Sequence, residues 1–339
     1  MTESNELSSR YETYIFPESK PGTTISILAA AQHIGLCLVT LTFPRIVGEA
    51  AGLSQQEITN YLQLSFLALG VSTLLKTLKT GNFGLGLLLP SCFTLLYLPG
   101  ALVAAHTGGI GAVAGMTICA GVVETLMARY VRQMRFLLPP EVIGVVILTL
   151  GLSLALYAIN QMSQGGVTEH DSLITFMSLG IIIGLSVWGR PFLASIATLA
   201  GIAAGLIITL SIDLFTTTHS MIETNLVPLY WPMAVPSVSS IMIPGILTGA
   251  LGCLIRSTGD IVASEQIYNP KWKRPDYALI SRGIFADGLG TVFAGLIGVM
   301  GTNTYSGSVG LIAASRIGAR RVGYFVAAGW ILLALTPGS

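Results

Sequence analysis

Residues 240–260 read "SIMIPGILTGALGCLIRSTGD", an uncharged stretch that ends in an arginine and an aspartate. Similar uncharged runs recur at 25–43, 142–162 and 192–212, and an α-helix needs about 20 such residues to cross a bilayer. The chain of 339 residues is 52% hydrophobic and only 10% charged, whereas soluble proteins carry about 25% charged residues. The sequence therefore predicts an all-α polytopic membrane protein.

Several other classes of protein are excluded or disfavoured. Residues 1–20 are polar, which argues against a secretory signal peptide. We find no nucleophile–base set, phosphate loop, zinc spacing or nucleic-acid surface, so we predict no enzyme, no metal, no cofactor and no nucleic-acid partner. The four cysteines lie in apolar segments and are predicted to be small core residues rather than disulfides or ligands. They are Cys37, Cys92, Cys119 and Cys253.

The apolar runs predict about 11 membrane spans. In order, they are 24–45, 57–78, 83–105, 108–131, 139–161, 171–189, 191–213, 240–264, 277–299, 303–315 and 320–337. The third and the tenth are interrupted by Gly, Pro, Ser and Asn, and such segments occur at membrane depth only where they line a cavity or are buried in protein. We therefore expect both to be discontinuous, each an extended stretch followed by a half-helix.

The basic residues give the orientation. If residues 1–23 form a cytoplasmic tail, 15 of the 17 basic residues fall at the inner ends of the spans. Lys76 and Lys79 are among these 15. The exceptions are Arg45 and Arg256, and a cytoplasmic excess of lysine and arginine is the rule for membrane proteins. The N-terminus is therefore predicted to be cytoplasmic.

The longest connection, 214–239, separates seven spans from the next four. Because seven is odd, a second copy of the same unit would enter the membrane upside down, which gives an inverted repeat. The interrupted third span then corresponds to the interrupted tenth, and the first span to the eighth.

A series of motifs resembles the nucleobase–ascorbate transporter family, the xanthine and uracil permeases, in order and spacing from about residue 24 onward. They are AAQHIG (30–35), LLLPSCF (87–93), LLPPEVIGVVILTLGLSL (137–154), STGD (257–260), FADGLGTVFAGLIG (285–298) and NTYSGSVGLIAASRIGARR (303–321).

The resemblance implies a 7+7 inverted-repeat transporter of which this chain holds about 11 of the 14 spans. Spans 1–4 (24–131) and 8–11 (240–339) would form a core domain, and spans 5–7 (139–213) part of a gate domain. The second half of the gate would be missing, as in a chain truncated at its C-terminus. A homodimer through the gate domains is also implied.

The implied function is a nucleobase permease of the bacterial inner or plasma membrane, with purines such as xanthine or urate favoured and alternating access as the mechanism. Two alternatives stay open. One is an anion transporter of the same architecture that uses Arg256. The other is a truncated, transport-inactive receptor or partner protein.

Two departures from the family pattern fall on the implied site. The family usually has a glutamate at the position of Arg256, and Glu or Gln followed by Asn at Gly307 and Ser308. The rest of the tenth-span signature is kept, by Gly310, Ser315 and Arg316. The site has therefore lost a carboxylate and a neighbouring polar side chain, and has gained a cation.

The predicted substrate-binding residues are Phe93, Arg256, Gly307, Ser308, Gln32 and His33. Phe93 could stack on a planar ring or simply pack in the core. Gln32 and His33 lie in an apolar helix, where a hydrogen bond between helices near the site is expected more than direct contact with substrate.

Arg256 should have a partner, because a cation at mid-membrane costs about 2.5–3.5 kcal/mol. Asp260 lies one helical turn away and Asp287 could join the pair, while the guanidinium could also contact substrate. Arginine cannot release a proton in place of a carboxylic acid, so proton coupling, if present, falls to Asp260 or Asp287. Asp287 is the better candidate on sequence, because Arg256 favours the ionised form of Asp260. Glu124, near Arg129, is predicted to be structural.

Overall fold

In a computed structural model, two compact units are formed, one by Met1–Ile143 with Asn225–Ser339 and the other by Gly144–Thr224. The structure describes residues 16–81, 83–134, 169–189, 197–216, 235–269 and 272–335, together with isolated positions at 152, 156, 159 and 193. The predicted fifth span, 139–161, lies outside the continuously described residues.

The described residues of the larger unit form helices and two short strands. Its elements are α1 (Thr23–Leu38), α2 (Thr42–Ala50), α3 (Gln55–Thr77), β1 (Ser91–Phe93), α4 (Leu98–Met127), α5 (Val131–Met134), α8 (Ile243–Tyr268), α9 (Tyr277–Leu296), β2 (Thr302–Thr304), α10 (Ser306–Ser315) and α11 (Arg320–Leu335). The smaller unit contains α6 (Glu169–Trp188) and α7 (Ala197–Thr216), which pack against each other.

Six helical stretches of the described chain are long and apolar enough to cross a membrane. They are Thr23–Ala50, Gln55–Thr77, Leu98–Gln133, Asp171–Trp188, Ser240–Tyr268 and Tyr277–Leu296. The prediction of a multi-pass helical membrane protein is confirmed. The four cysteines are free and none is fully exposed, as predicted for small core residues.

The two predicted interruptions are present. β1 and β2 pair antiparallel, with Ser91 opposite Thr304 and Phe93 opposite Thr302, and a helix follows each strand. A second break lies within α4, where Gly109 has a φ of 62°, a left-handed conformation that favours glycine. The predicted third span is therefore an extended stretch and a half-helix, and the tenth is β2 followed by the short α10.

Polar side chains fix where two of the long helices begin. Ser54 and Glu57 form a capping box at the start of α3, in which each side chain bonds the other residue's backbone. At the start of α9, the carboxylate of Asp276 accepts hydrogen bonds from the N–H groups of Ala278 and Leu279. Both helices thus satisfy N–H groups that have no partner within the helix.

Equivalent helices of the two halves make equivalent contacts. α3 packs against α11, and its repeat counterpart α9 packs against α4. Likewise α1 packs against α11 and α8 against α4, while α3 meets its own counterpart α9. This pairing is what an inverted repeat requires, and it places the β1–β2 pair where the two halves meet.

The α4–α9 contact depends on glycine, which supplies the first testable prediction. A Cβ at Gly121 would lie 2.6 Å from the backbone nitrogen of Val292 and 2.8 Å from the carbonyl oxygen of Gly288. We expect Gly121→Ala to lower the free energy of unfolding by about 1–3 kcal/mol, because the backbones must move apart. Unfolding of the purified protein in detergent measures the change.

Gly184→Ala is the matched control. A Cβ at Gly184, in α6, meets nothing within 4 Å. This change is expected to leave stability unchanged or to raise it by about 0.5–1 kcal/mol, since alanine restricts the unfolded chain. Equal stability of the two variants would show that the close approach at Gly121 does not stabilise the fold.

Candidate functional site

Arg256 lies on α8 where that helix passes the paired strands. Its Nη1 donates a hydrogen bond of 2.9 Å to Oγ1 of Thr94, the residue that follows β1. Its Nε is 3.9 Å from Oδ2 of Asp260, too long for a hydrogen bond but close enough for an ion pair. The side chain remains 24% exposed. Part of the guanidinium fork is therefore available to a ligand.

Asp260 connects α8 to the start of α10. Oγ1 of Thr304 donates to its Oδ2 at 2.6 Å, and the side chain of Ser306 also bonds the carboxylate. An anion at a helix N-terminus is favoured by the helix dipole. The predicted pairing of Arg256 with Asp260 is present, although Asp260 is held more closely by the residues around α10 than by Arg256.

A second ion pair lies in the interior, and it corrects the predictions made for Lys76 and for Asp287. Lys76, in the last turn of α3, and Asp287 have no exposed side-chain surface, and Nζ of Lys76 lies 2.9 Å from Oδ1 of Asp287. Oγ of Ser257 donates to Oδ2 of Asp287 at 2.6 Å. Lys76 is thus a buried partner rather than a cytoplasmic loop residue. Asp287 does not join the Arg256–Asp260 pair, because Lys76 neutralises it instead.

His33 and Ser308 are brought together. Nδ1 of His33, on α1, lies 3.1 Å from Oγ of Ser308, on α10, and both residues are buried. This is a helix-to-helix hydrogen bond of the kind expected for His33. Gln32 points to an exposed face instead. A direct role for Gln32 or His33 in substrate binding stays a prediction.

Phe93 lies at the end of β1 and is only 1% exposed. Its backbone N–H bonds Oγ1 of Thr40 at 3.3 Å. Of the two readings offered by the sequence, core packing describes this conformation better, because the ring has almost no surface that a ligand could reach.

Tyr305 fills the space left by the glycine at position 307. A Cβ at Gly307 would lie 2.6 Å from Cε1 of the Tyr305 ring. Tyr305 is partly exposed. The ring of Tyr305 therefore occupies the space that a side chain at position 307 would take.

The remaining signature residues shape the end of α10. Gly310 lies within the helix, and Ser315 is its last residue. Arg316 caps the helix with a left-handed φ of 61°, and its backbone N–H donates to the carbonyl of Ile312 at 2.8 Å. Ser315 and Arg316 therefore lie at the C-terminal end of α10, whereas Asp260 contacts the N-terminal end of that helix.

Glu124 is buried, as expected of a structural residue, but its hydrogen-bond partner is Tyr97 rather than the nearby Arg129. Its Oε2 accepts a hydrogen bond of 3.0 Å from the hydroxyl of Tyr97, the residue that precedes α4. This contact ties the half-helix after β1 to the later part of α4, beyond the break at Gly108 and Gly109.

Sequence reasoning missed Thr94, Thr304, Tyr305 and Lys76. The first three immediately follow or end a strand, just before a half-helix, so their position in the interrupted spans was the available signal. Lys76 offered no such signal, since it ends an apolar helix as topogenic lysines commonly do. Among the described residues, no group of three or more His, Cys, Asp and Glu is placed to hold a metal ion.

Comparison with known proteins adds the family context. A family model for xanthine and uracil permeases, described as the Permease family, matches residues 24–338. The xanthine permease of Bacillus subtilis (strain 168) is 26% identical over 322 residues, which cover 92% of this chain and 72% of that protein. The uric acid permease PucK of the same organism is 27% identical, with coverages of 90% and 70%.

A third relative and one solved structure agree with this picture. The uric acid transporter UacT of Escherichia coli (strain K12) is 26% identical, and the match covers 87% of this chain and 63% of that protein. The transmembrane domain of a cyanobacterium bicarbonate transporter, BicA, superposes with a TM-score of 0.58 at 18% identity. That match covers 95% of this chain and 85% of the other, and it establishes similarity of fold alone.

Proposed function

This chain belongs to the xanthine and uracil permease family, and we propose that it carries nucleobases across a membrane, with purines such as xanthine and urate preferred over uracil. It is a multi-pass integral membrane protein, and we place it in the bacterial inner or plasma membrane with its N-terminus in the cytoplasm. The observation on which the substrate rests is that the similar curated relatives are permeases of xanthine and uric acid.

The geometry supports a planar substrate rich in carbonyl oxygens. Arg256 offers part of a planar fork of N–H donors, and such a fork matches carbonyl and carboxylate oxygens well. It lies beside two half-helices that start close to the β1–β2 pair. Pairs of broken helices at the bilayer midplane are where transporters of this kind bind their substrates.

We propose alternating access as the mechanism, with the larger unit as the core that holds the substrate and the smaller unit as part of the gate. The core is internally braced by the Lys76–Asp287 ion pair and by the His33–Ser308 hydrogen bond. A homodimer through the gate is part of the same proposal. The relatives favour neither alternative, an inorganic or organic anion transporter that uses Arg256 or a truncated, transport-inactive receptor or partner protein, since they are xanthine and uric acid permeases.

Uptake by membrane vesicles containing the chain tests the proposal. Radiolabelled xanthine, urate, uracil and ascorbate are supplied in turn, with vesicles that lack the protein as the control. We expect saturable uptake of xanthine or urate, inhibited by the other purine and weakly by uracil. Absence of saturable uptake for all four compounds would overturn the proposed function.

A further inference from the structure

We infer that the site binds its substrate as an anion, so that an acidic oxopurine such as urate is held in its ionised form by Arg256. This inference rests on the proposed function and specifies the charge state of the substrate at the same site. A purine that is neutral under the same conditions is expected to bind more weakly.

The first support is the distribution of charge. The site holds two ion pairs, Lys76–Asp287 and Arg256–Asp260. Lys76 is fully buried against Asp287, whereas the Arg256 side chain is 24% exposed. The Asp260 side chain is 9% exposed and is bonded by Thr304 and Ser306. Of these four charged side chains, Arg256 is therefore the most accessible to an incoming ligand, although it also bonds Thr94 and pairs with Asp260.

The second support is the shape of the surface next to Arg256. Gly259 is one helical turn away on α8, and a Cβ built there meets nothing within 4 Å, so the surface is open at that point. The partly exposed Tyr305 lies between Thr304 and Ser306, which bond Asp260, the ion-pair partner of Arg256. A cation beside an aromatic ring and an open face suits a flat anionic ring, which can bond the guanidinium and stack on the tyrosine.

The charge of the ligand can be varied without changing the protein. Urate is a monoanion at neutral pH, hypoxanthine is neutral, and xanthine loses a proton as the pH rises through the slightly alkaline range. We expect xanthine to bind wild-type protein more tightly as it ionises, urate affinity to stay nearly constant over the same range, and hypoxanthine to bind weakly throughout. Thermal shift or direct binding with purified full-length chain measures all three.

Urate is also the control for titration of the protein itself. The charged or titratable groups near Arg256 are Asp260 on its own helix, Tyr305 before α10, Cys92 in β1, Cys253 on α8 and Cys37 on α1. Any change in their charge alters the affinity for urate as well as for xanthine. A rise in xanthine affinity that urate does not share therefore reports the charge of the ligand.

Variants of Arg256 test whether this residue binds the charge of the ligand. Arg256→Gln is expected to weaken urate binding by about tenfold to hundredfold, or about 1.4–2.8 kcal/mol, and hypoxanthine binding by less than about threefold, because only the anion loses a charge-assisted bond. Arg256→Lys keeps the cation and should lose less. The double variant Arg256→Gln with Asp260→Asn avoids an unpaired carboxylate and should show the same selective loss.

The outcomes separate the two proposals. Purine binding that is indifferent to ligand charge, or undiminished urate binding by the double variant, overturns this inference and leaves the proposed function standing. If no purine of either charge binds the wild-type protein, the proposed function itself is overturned. Should the variants fail to fold, the comparison of xanthine with urate on wild-type protein still decides the inference.

Discussion

Replacing Lys76 by methionine is expected to lower the free energy of unfolding by about 3–5 kcal/mol, because it leaves the carboxylate of Asp287 buried without a cation. Both side chains are completely inaccessible and their charged atoms are 2.9 Å apart. Ser257 bonds the second carboxylate oxygen, but a hydroxyl does not neutralise the charge. Unfolding of the purified chain in detergent, followed by heat or denaturant, measures the loss.

Two matched variants show whether the loss comes from the unpaired charge. Lys76→Met combined with Asp287→Asn removes both charges, and the asparagine oxygen can still accept from Ser257, so most of the lost stability should return. Lys79→Met makes the same change three residues away, where the lysine pairs with Glu18 at the exposed surface. Exposed pairs contribute little, so Lys79→Met should be close to wild type.

A different result would change the view of the core. If the single Lys76 variant is no less stable than the Lys79 variant, then Asp287 does not depend on its ion pair. If the double variant is as unstable as the single one, the loss comes from packing of the lysine stem rather than from charge.

The interrupted spans were predictable from sequence because their cause is local. Gly, Pro, Ser and Asn within 83–105 and 303–315 disfavour a continuous helix, and the structure has strands and half-helices there. The Lys76–Asp287 pair was not predictable, since its partners are 211 residues apart in the chain. Hydrophobic periodicity assigns a residue to a helix, but it does not say which distant side chain that residue will meet.

Individual site residues show the same limit. The resemblance pointed to the glycine at position 307 as a departure from the expected pattern, but not to the ring of Tyr305 in the space beside it. Arg256 with Asp260 was found because a spacing of four residues on one helix is itself local. Phe93 follows a recognisable motif, yet its burial depends on neighbours from elsewhere in the chain, including Thr40.

The contacts bear directly on proton coupling. The sequence favoured Asp287 over Asp260 as a proton carrier, but both oxygens of Asp287 are bonded, one by Lys76 and the other by Ser257. A proton there would break a fully buried ion pair. Asp260 has accessible surface and lies 3.9 Å from its cation, so a proton can reach it without breaking a short, fully buried ion pair. We therefore expect Asp260 to be the coupling residue if the transporter uses a proton gradient.

Protonation of Asp260 would also release Arg256 toward the substrate. An ionised Asp260 competes with an anionic substrate for the guanidinium, whereas a neutral one leaves that cation free. Uptake of one substrate anion together with one proton then moves no net charge. Transport should accordingly follow the pH gradient, increase when the outside is acidic, and respond little to the membrane potential.

Asp260→Asn is expected to abolish accumulation driven by a pH gradient while it preserves exchange of labelled for unlabelled substrate. Coupling to one proton allows the wild type up to about tenfold accumulation for each unit of pH difference, and the variant should approach equal concentrations on both sides. Exchange should stay within about threefold of wild type, because asparagine can still accept the hydrogen bond from Thr304. Urate uptake and counterflow in vesicles with imposed pH gradients measure both. Continued proton-driven accumulation by the Asp260→Asn variant would show that the proton is carried elsewhere. Asp287 would then be the next residue to test, by combining Asp287→Asn with Lys76→Met so that neither substitution leaves a buried charge unpaired.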